Sequence, residues 1–533
     1  MKKLINILST LIISSTLSVS VISCRNPFTP KNNQGYKLPE IDNLKFTNRF
    51  HAQNPTTGMM NDIQGGFYRE GKWHVYFLQN ADGIFDQDGN NHGKFGSVWY
   101  HVTTVDWINW NYEGPAVPKY TTKYGDQASG TFYEDKENSF GYGSEAIIAI
   151  TTSYSDAGQN IMMFYSIDGG YKFNPVKEEP ILWNPHKETN ENFRDPYFFK
   201  KNNKFIMYIA EENEFGVYVS DNPLGEYKKT GSFKAQHPML ECPNLFEINI
   251  KDSVEKKWVA LYGGNGGWGE NADNLSSGTY YVTGSLDEKT FVFKPDNEEA
   301  YKRLDFGPDY YAAKFMSTSY KNTDIDSLIT TGWVNNWSYN FSIPNDGRLG
   351  NMSLAREIKL LNKGTKEKPD YTFETNFLGF NKFQVLKTGN IINQTNFLEH
   401  ENLKGQYFKT NFILKNIQKN NKDNVEMQIC DDQYNITILF DFLQNQISVK
   451  RLINISFNYG KEEFEKLRVF KTDLSNLNGD LNFEVYVDKT IVEFKFIDGT
   501  VFSMLKFIDA ISKEDIKFNA DNIDIEYQYY QVA

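Results

Sequence analysis

The chain has 533 residues, 15% of them aromatic with 41 Phe and 32 Tyr, and a formal net charge of −12. That length exceeds what one hydrophobic core ordinarily serves, so two domains are expected. The acidic balance excludes nucleic acid as a partner and suits a neutral ligand, while the aromatic content favours strands over helices.

Met1-Lys2-Lys3 precedes an apolar run from Leu4 to Ile22 interrupted only by Asn, Ser and Thr. A basic segment, an apolar segment and a small residue in that order predict an export signal over residues 1–23. Val21-Ile22-Ser23-Cys24 resembles a bacterial lipobox. It implies cleavage before Cys24, a lipid on the Cys24 thiol, and an exported lipoprotein held on the outer face of the cell membrane through that lipid alone. An uncleaved membrane helix is the competing reading. Residues 24–38, with Pro27 and Pro30 among Asn and Lys, read as a polar tether. Cys242 and Cys430 are the other two cysteines, and both are expected to be free.

From residue 39 to 361 the chain repeats short aromatic or β-branched runs, such as Trp73 to Leu78, Ala146 to Thr151 and Lys204 to Ala210, separated by Gly, Asn, Asp and Pro. So long a run of strands with little helical periodicity closes more readily as a propeller than as one sandwich. Residues 362–400 open on a polar, charged stretch from Asn362 to Asp370 and are expected to be a linker. Strands resume over residues 401–533, with Asp488-Lys489 as a hairpin turn, predicting a second all-β domain, a sandwich.

Three stretches carry candidate chemistry. Met59-Met60-Asn61-Asp62-Ile63-Gln64-Gly65-Gly66 sets a carboxylate beside an amide ahead of two strand-like runs. Asn-Asp before Gly is also ordinary turn chemistry. In Asn192-Phe193-Arg194-Asp195-Pro196 a cation and an anion share a segment that proline holds extended, and a structural salt bridge is the plainer reading. Glu241, in His237-Pro238-Met239-Leu240-Glu241-Cys242-Pro243, stands among apolar residues, where partial burial suits a general acid.

In this order the three stretches resemble the signature motifs of glycoside hydrolase family 32, the β-fructosidases that include invertases, levanases and inulinases. Further ordered matches are Trp99-Tyr100-His101, Asp126 through Thr131, Asp305 through Ala312, Gly332-Trp333 with Asn336-Trp337, Met352 through Glu357, and Tyr486-Val487-Asp488 with Ile491-Val492-Glu493. The resemblance implies an all-β fold, a five-bladed β-propeller followed by a C-terminal β-sandwich. It implies a retaining hydrolase with Asp62 as nucleophile, Glu241 as general acid/base and Asp195 as transition-state stabiliser, acting through a covalent fructosyl-enzyme without metal or organic cofactor.

Around the sugar the resemblance places Asn61, Gln64, Phe95, Trp99, Ser129, Arg194, Cys242 and Trp337. Ser129 also fits a simple turn, and Arg194 also fits the orienting of Asp195. Cys242 is expected to pack near Glu241 and tune its acidity. Tyr120, Tyr124, Trp183, Trp268 and Trp337 are candidates for a rim that stacks on further sugar units.

The chain departs from the commonest family pattern at Met59, where Trp is usual, at Ile63-Gln64 in place of Pro-Asn, at Leu78, and at Phe95 before Gly96. The Ile63-Gln64 variant is similar to the levanase branch, which implies a β-2,6-fructan or fructo-oligosaccharide as substrate. Sucrose hydrolysis is the alternative within the enzyme class, and a fructan-binding surface lipoprotein without turnover is the alternative outside it. No oligomeric state follows from the sequence.

Overall fold

The computed structural model describes residues 45–81, 96–265, 277–297, 301–318, 324–392, 403–415, 417, 424–431, 433–454, 459–471, 474, 479–496, 499–506, 514–520 and 523–531. The expected export signal, Cys24, the tether, Phe95 and Trp268 lie outside these residues. Apart from one helical turn at Lys461–Phe464 and two 3-10 turns, every regular element among the described residues is a strand. Five of the sheets are meanders of antiparallel strands, and two further sheets have six strands each.

The five meanders are the blades of a propeller. Their first strands are Gly58–Arg69, Asp126–Glu134, Arg194–Lys201, Leu240–Asn249 and Tyr311–Ser317, for blades 1 to 5. Each of these inner strands touches the next, and the fifth touches the first, so they form a closed ring. Alternation along a strand explains why the blades stack. In Ile147–Ser155, the second strand of blade 2, Ile147 and Ala149 pack with Phe67 and Tyr76 of blade 1. Ile148 and Ile150 turn the other way, onto Phe198 and Met207 of blade 3. Both faces of the sheet are therefore buried, and a run of β-branched residues suits both at once.

Closure of the ring is not left to packing alone. Before making the third strand of blade 5, the chain returns to blade 1, where Arg348–Leu349 pairs in parallel with Gly58 and Met59. Gly350 is required there. Its φ is +92°, and a Cβ would stand 1.9 Å from the Met60 carbonyl oxygen.

The described part of the expected linker, residues 362–392, is instead built into both domains. Its polar opening is the turn of a hairpin whose second strand, Tyr371–Phe377, completes blade 5, and Lys387–Ile391 already belongs to the sandwich, paired with Asp524–Gln531. A polar hairpin tip and a linker have the same composition, because both are solvated. The two six-stranded sheets enclose a core that includes Phe412, Phe440, Phe483 and Phe518, and strands such as Phe408–Lys415 alternate buried and half-buried residues, as one-sided sheets do.

Buried charge joins the domains. His51 Nδ1 lies 2.9 Å from Asp488 and Nε2 lies 3.3 Å from Glu493, and Glu493 also meets Arg356 at 3.1 Å. Arg356 pairs in turn with Asp305 at 2.7 Å. The hairpin-turn residue Asp488 accepts the backbone N–H groups of Arg49, Phe50 and His51, at 2.8, 3.0 and 3.1 Å. A second link runs from Asp309 of the propeller to Arg451 of the sandwich, at 2.6 Å.

These pairs predict a bell-shaped pH dependence. The two carboxylates raise the His51 pKa above its ordinary 6.5 against the opposing effect of burial, so its contribution is present below that value and lost as pH rises through the folded value. Asp488 and Glu493 are held below their ordinary 3.8 and 4.5 by His51 and by Arg356, with burial opposing, so theirs is lost as pH falls. Thermal unfolding followed across pH should show the joint contribution greatest between roughly pH 4.5 and 6.5. His51→Gln should cost on the order of 3–5 kcal/mol there, since it leaves the buried Asp488 without a cation, and should flatten the alkaline side of the profile.

Candidate active site

All five inner strands carry an irregularity near their start. In blade 1, Asn61 and Asp62 stand opposite the single residue Leu78. Ser129 is the extra residue in blade 2. In blade 3, Asp195 and Pro196 face Ile209; in blade 4, Cys242 and Pro243 face Tyr262; in blade 5, Ala312 and Ala313 face Gly332. A bulge interrupts strict alternation and re-aims the side chains beside it. Repeated around a ring, it turns five strand ends toward one place. Asp195, Cys242 and Ala312 have φ of 58°, 49° and 46°, strained values for residues with a Cβ.

Asp62, Asp195 and Glu241 are brought together there. The Ser129 hydroxyl donates to Asp62 Oδ2 at 2.5 Å, and Asn61 Nδ2 donates to Oδ1 at 3.3 Å. The Cys242 backbone N–H donates to Asp195 Oδ2 at 3.0 Å, and Thr152 Oγ1 accepts the Asp195 N–H at 2.8 Å. Residues just before the bulges of blades 3, 4 and 5 form a rung. Arg194 donates to Glu241 Oε1 through Nε at 3.2 Å and Nη2 at 3.0 Å, and the Tyr311 hydroxyl donates to Glu241 Oε2. Arg194 thus braces the glutamate, where adjacency in sequence suggested Asp195.

Cys242 also acts differently from expectation. Its sulfur lies 3.8 Å from Asp62 Oδ2 and 3.6 Å from Asp195 Oδ2, so it faces the two aspartates as well as following Glu241. Burial first, then the Asp195 and Asp62 charges, push the thiol well up, which keeps it neutral. Cys242 and Cys430 are both free. Gln64 and Trp99, expected against the sugar, have no exposed surface. Gln64 binds the Asp62 carbonyl at 2.8 Å and the Gly130 N–H at 2.8 Å, and Trp99 Nε1 binds the Ala128 carbonyl at 2.9 Å. They brace the pocket wall from behind. Trp337 is half-buried, its ring 4.7 Å from that of Trp333.

Sequence reasoning missed Tyr311 as a partner of Glu241 and missed Lys314 altogether. Lys314 is 1% exposed on the inner strand of blade 5, within electrostatic reach of Asp62, Asp195 and Cys242. A lysine inside the buried run Tyr311-Ala312-Ala313-Lys314-Phe315-Met316 was the available signal. A separate groove of about 460 Å³ lies between blade 5 and the sandwich, lined by Asn376, Asn411, Asn482 and Lys495 among others, and contains none of the bulge residues.

Residues 51–369 match the profile of the Glycosyl hydrolases family 32 N-terminal domain. The chain belongs to glycoside hydrolase family 32. It is 34% identical over 339 residues to a levanbiose-producing levanase of Bacillus subtilis, covering 62% of this chain and 61% of that protein. A levanbiose-producing levanase of Geobacillus stearothermophilus is 36% identical over 307 residues, covering 56% of this chain and 72% of that one. A solved fructofuranosidase of Schwanniomyces occidentalis, complexed with fructosylnystose, superposes with a TM-score of 0.78 at 22% identity and covers 93% of this chain and 99% of that one. The likeness in fold therefore includes the sandwich, beyond the stretch that the family 32 profile spans.

Crowding of three carboxylates has a measurable consequence. Burial, then the charges of Asp195 and Glu241, push the Asp62 carboxyl up from 3.8 to about 7, with the Ser129 hydrogen bond and Lys314 pulling the other way. The folded chain then holds a proton that the unfolded chain releases, so stability falls as pH rises between those values, by about 1.4 kcal/mol per pH unit at most. Asp62→Asn should raise the melting temperature at pH 8 and leave it nearly unchanged at pH 4, as read by thermal unfolding at both.

Proposed function

We propose that the protein is a retaining β-fructosidase that hydrolyses levan-type fructans or fructo-oligosaccharides. The observation that carries this reading is the convergence of Asp62, Asp195 and Glu241 at the bulges of blades 1, 3 and 4 of a family 32 propeller. In this reading an Asp62 oxygen attacks the anomeric carbon of the fructosyl unit while the Glu241 carboxyl gives its proton to the leaving glycosidic oxygen. The anomeric carbon exchanges one C–O bond for an ester bond to Asp62, and the leaving chain departs as an alcohol.

Glu241, now a carboxylate, takes a proton from water, whose oxygen displaces Asp62 and releases fructose or a short fructan. Asp195 receives sugar hydroxyl groups and offsets positive charge as the anomeric centre becomes oxocarbenium-like. Tyr311 and Arg194 fix the two Glu241 oxygens so that the proton is delivered from one place. Asn61 and Ser129 hold the nucleophile beside the sugar, Gln64, Trp99 and Cys242 shape the wall around it, and Trp337 stands where a ring can meet the sugar.

Levan is favoured over inulin and sucrose by the Ile63-Gln64 variant and by the two levanases among the relatives. Exposed Tyr120 and Trp183 follow the last strand of blade 1 and precede the inner strand of blade 3, near the pocket end of the ring, where aromatic faces suit a chain of sugar units. An exported enzyme tethered through Cys24 would meet such polymers outside the cell.

Levan, inulin and sucrose incubated separately with the chain lacking its first 23 residues, followed by chromatography of the products, test the proposal. Fructose or oligofructosides from levan are expected, and Asp62→Asn or Glu241→Gln should lower kcat at least about a thousandfold with the fold intact. Glucose and fructose from sucrose with levan untouched would move the activity to sucrose hydrolysis. Binding of levan without any product would reduce the protein to a fructan-binding module.

A further inference from the structure

The inner strand of blade 5, Tyr311–Ser317, brings no carboxylate to the ring. It brings a buried ammonium. Lys314 follows the Ala312-Ala313 bulge, and among the described residues its Nζ has no hydrogen-bond partner. A buried lysine without an acceptor is expensive to keep. Nothing about the strand demands it, since its neighbours Phe315 and Met316 are ordinary core residues.

The electrostatics around the nucleophile give it a role. Asp62 is faced by Asp195 from blade 3, by Glu241 and Cys242 from blade 4, and by Tyr311 and Lys314 from blade 5, while the Arg194 charge of blade 3 acts on Asp195. Blade 2 adds only the neutral Ser129 hydroxyl. Arg194 is hydrogen-bonded to Glu241. Lys314 is the cation whose field falls on Asp62, Asp195 and Cys242 together.

We infer that Lys314 is a positioning residue for the nucleophile, its buried ammonium joining Arg194 in offsetting the repulsion between Asp62 and Asp195. The inference rests on reading Asp62 as the nucleophile. Burial lowers the lysine's own pKa and the neighbouring carboxylates pull the other way, so the ammonium and an ionised Asp62 or Asp195 favour one another. When Asp62 becomes an ester it loses its charge, and the field of the same ammonium still falls on Asp195. That keeps the pocket from swinging between two uncompensated states during turnover.

Two measurements on the full chain without its export signal decide this. The first is kcat/KM against pH on a soluble fructo-oligosaccharide for wild type, Lys314→Met and Lys314→Arg. Lys314→Met should move the acid limb upward by about one pH unit or more, with activity at the foot of the limb down about tenfold, and Lys314→Arg should restore most of it. An unmoved limb overturns the inference. The second needs no activity and stands even if wild type hydrolyses no fructan: a cycle of Lys314→Met and Asp62→Asn followed by urea unfolding at pH 8.

Lys314→Met should destabilise the Asp62 chain markedly and the Asp62→Asn chain much less, because the carboxylate it compensates is gone. Equal destabilisation in both backgrounds overturns the inference, as does failure of both to fold. A Lys314→Met chain that folds only when Asp62 is also replaced supports it.

Discussion

Three carboxylates share one opening at the axis of the ring, and like charges at such short range cannot all ionise without help. Much of the inner architecture is an answer to that repulsion. Backbone N–H groups, hydroxyls and two buried cations are spread over all five blades, so no single strand supplies the compensation. The bulges make it possible. A regular strand presents every second side chain to the same face, and five regular strands would crowd the axis with ring-filling apolar residues. One or two extra residues per strand instead turn a polar group inward at the same level in each blade. The left-handed backbone at Asp195, Cys242 and Ala312 is the local cost.

The sandwich participates in this arrangement without reaching the pocket. Asp305 and Asp309, which lead into the inner strand of blade 5, are gripped by Arg356, by the Ser503 N–H at 3.0 Å, by Arg451 and by the Leu505 N–H at 2.8 Å. Two residues beyond Asp309 comes Tyr311, the partner of Glu241. The second domain therefore fixes the entry of the strand that supplies both the tyrosine and the buried lysine. The family profile ends inside blade 5, yet the energetic unit extends into the sandwich, because removing it would take from His51 both of its carboxylates and from Asp309 its arginine.

Strand content, the two all-β domains and the three carboxylates were legible in the sequence, since alternation, turn residues and ordered motifs are local signals. What escaped it were pairings across the ring. Arg194 beside Asp195 suggests a mutual contact, but neighbours on a strand point to opposite faces, and the bulge sends the arginine to Glu241. The motifs from Asp305 to Asp309 and at Asp488 and Glu493 were legible as matches to the family, but their partners were not. Their work is to join the domains. Lys314 passed unnoticed because an isolated lysine reads as solvated surface, and only the apolar residues on either side of it argue otherwise. The stretch after Asn362 was taken for a linker because composition records solvation and not pairing.

The return of Arg348 and Leu349 to lie beside Gly58 and Met59 has a consequence for the order of events during synthesis. The strand that holds Asp62 is made early, but the segment that pairs with its free edge arrives only after most of the propeller has been translated. Until then the edge of blade 1 next to Asp62 has open backbone groups, and the first blade cannot mature by itself however well its hairpins form. Closing a loop of that span is slow, and the intermediate is a sheet edge available to other chains. The edge of the ring beside Asp62 is thus completed late, and a chain stalled before Leu349 carries that edge open.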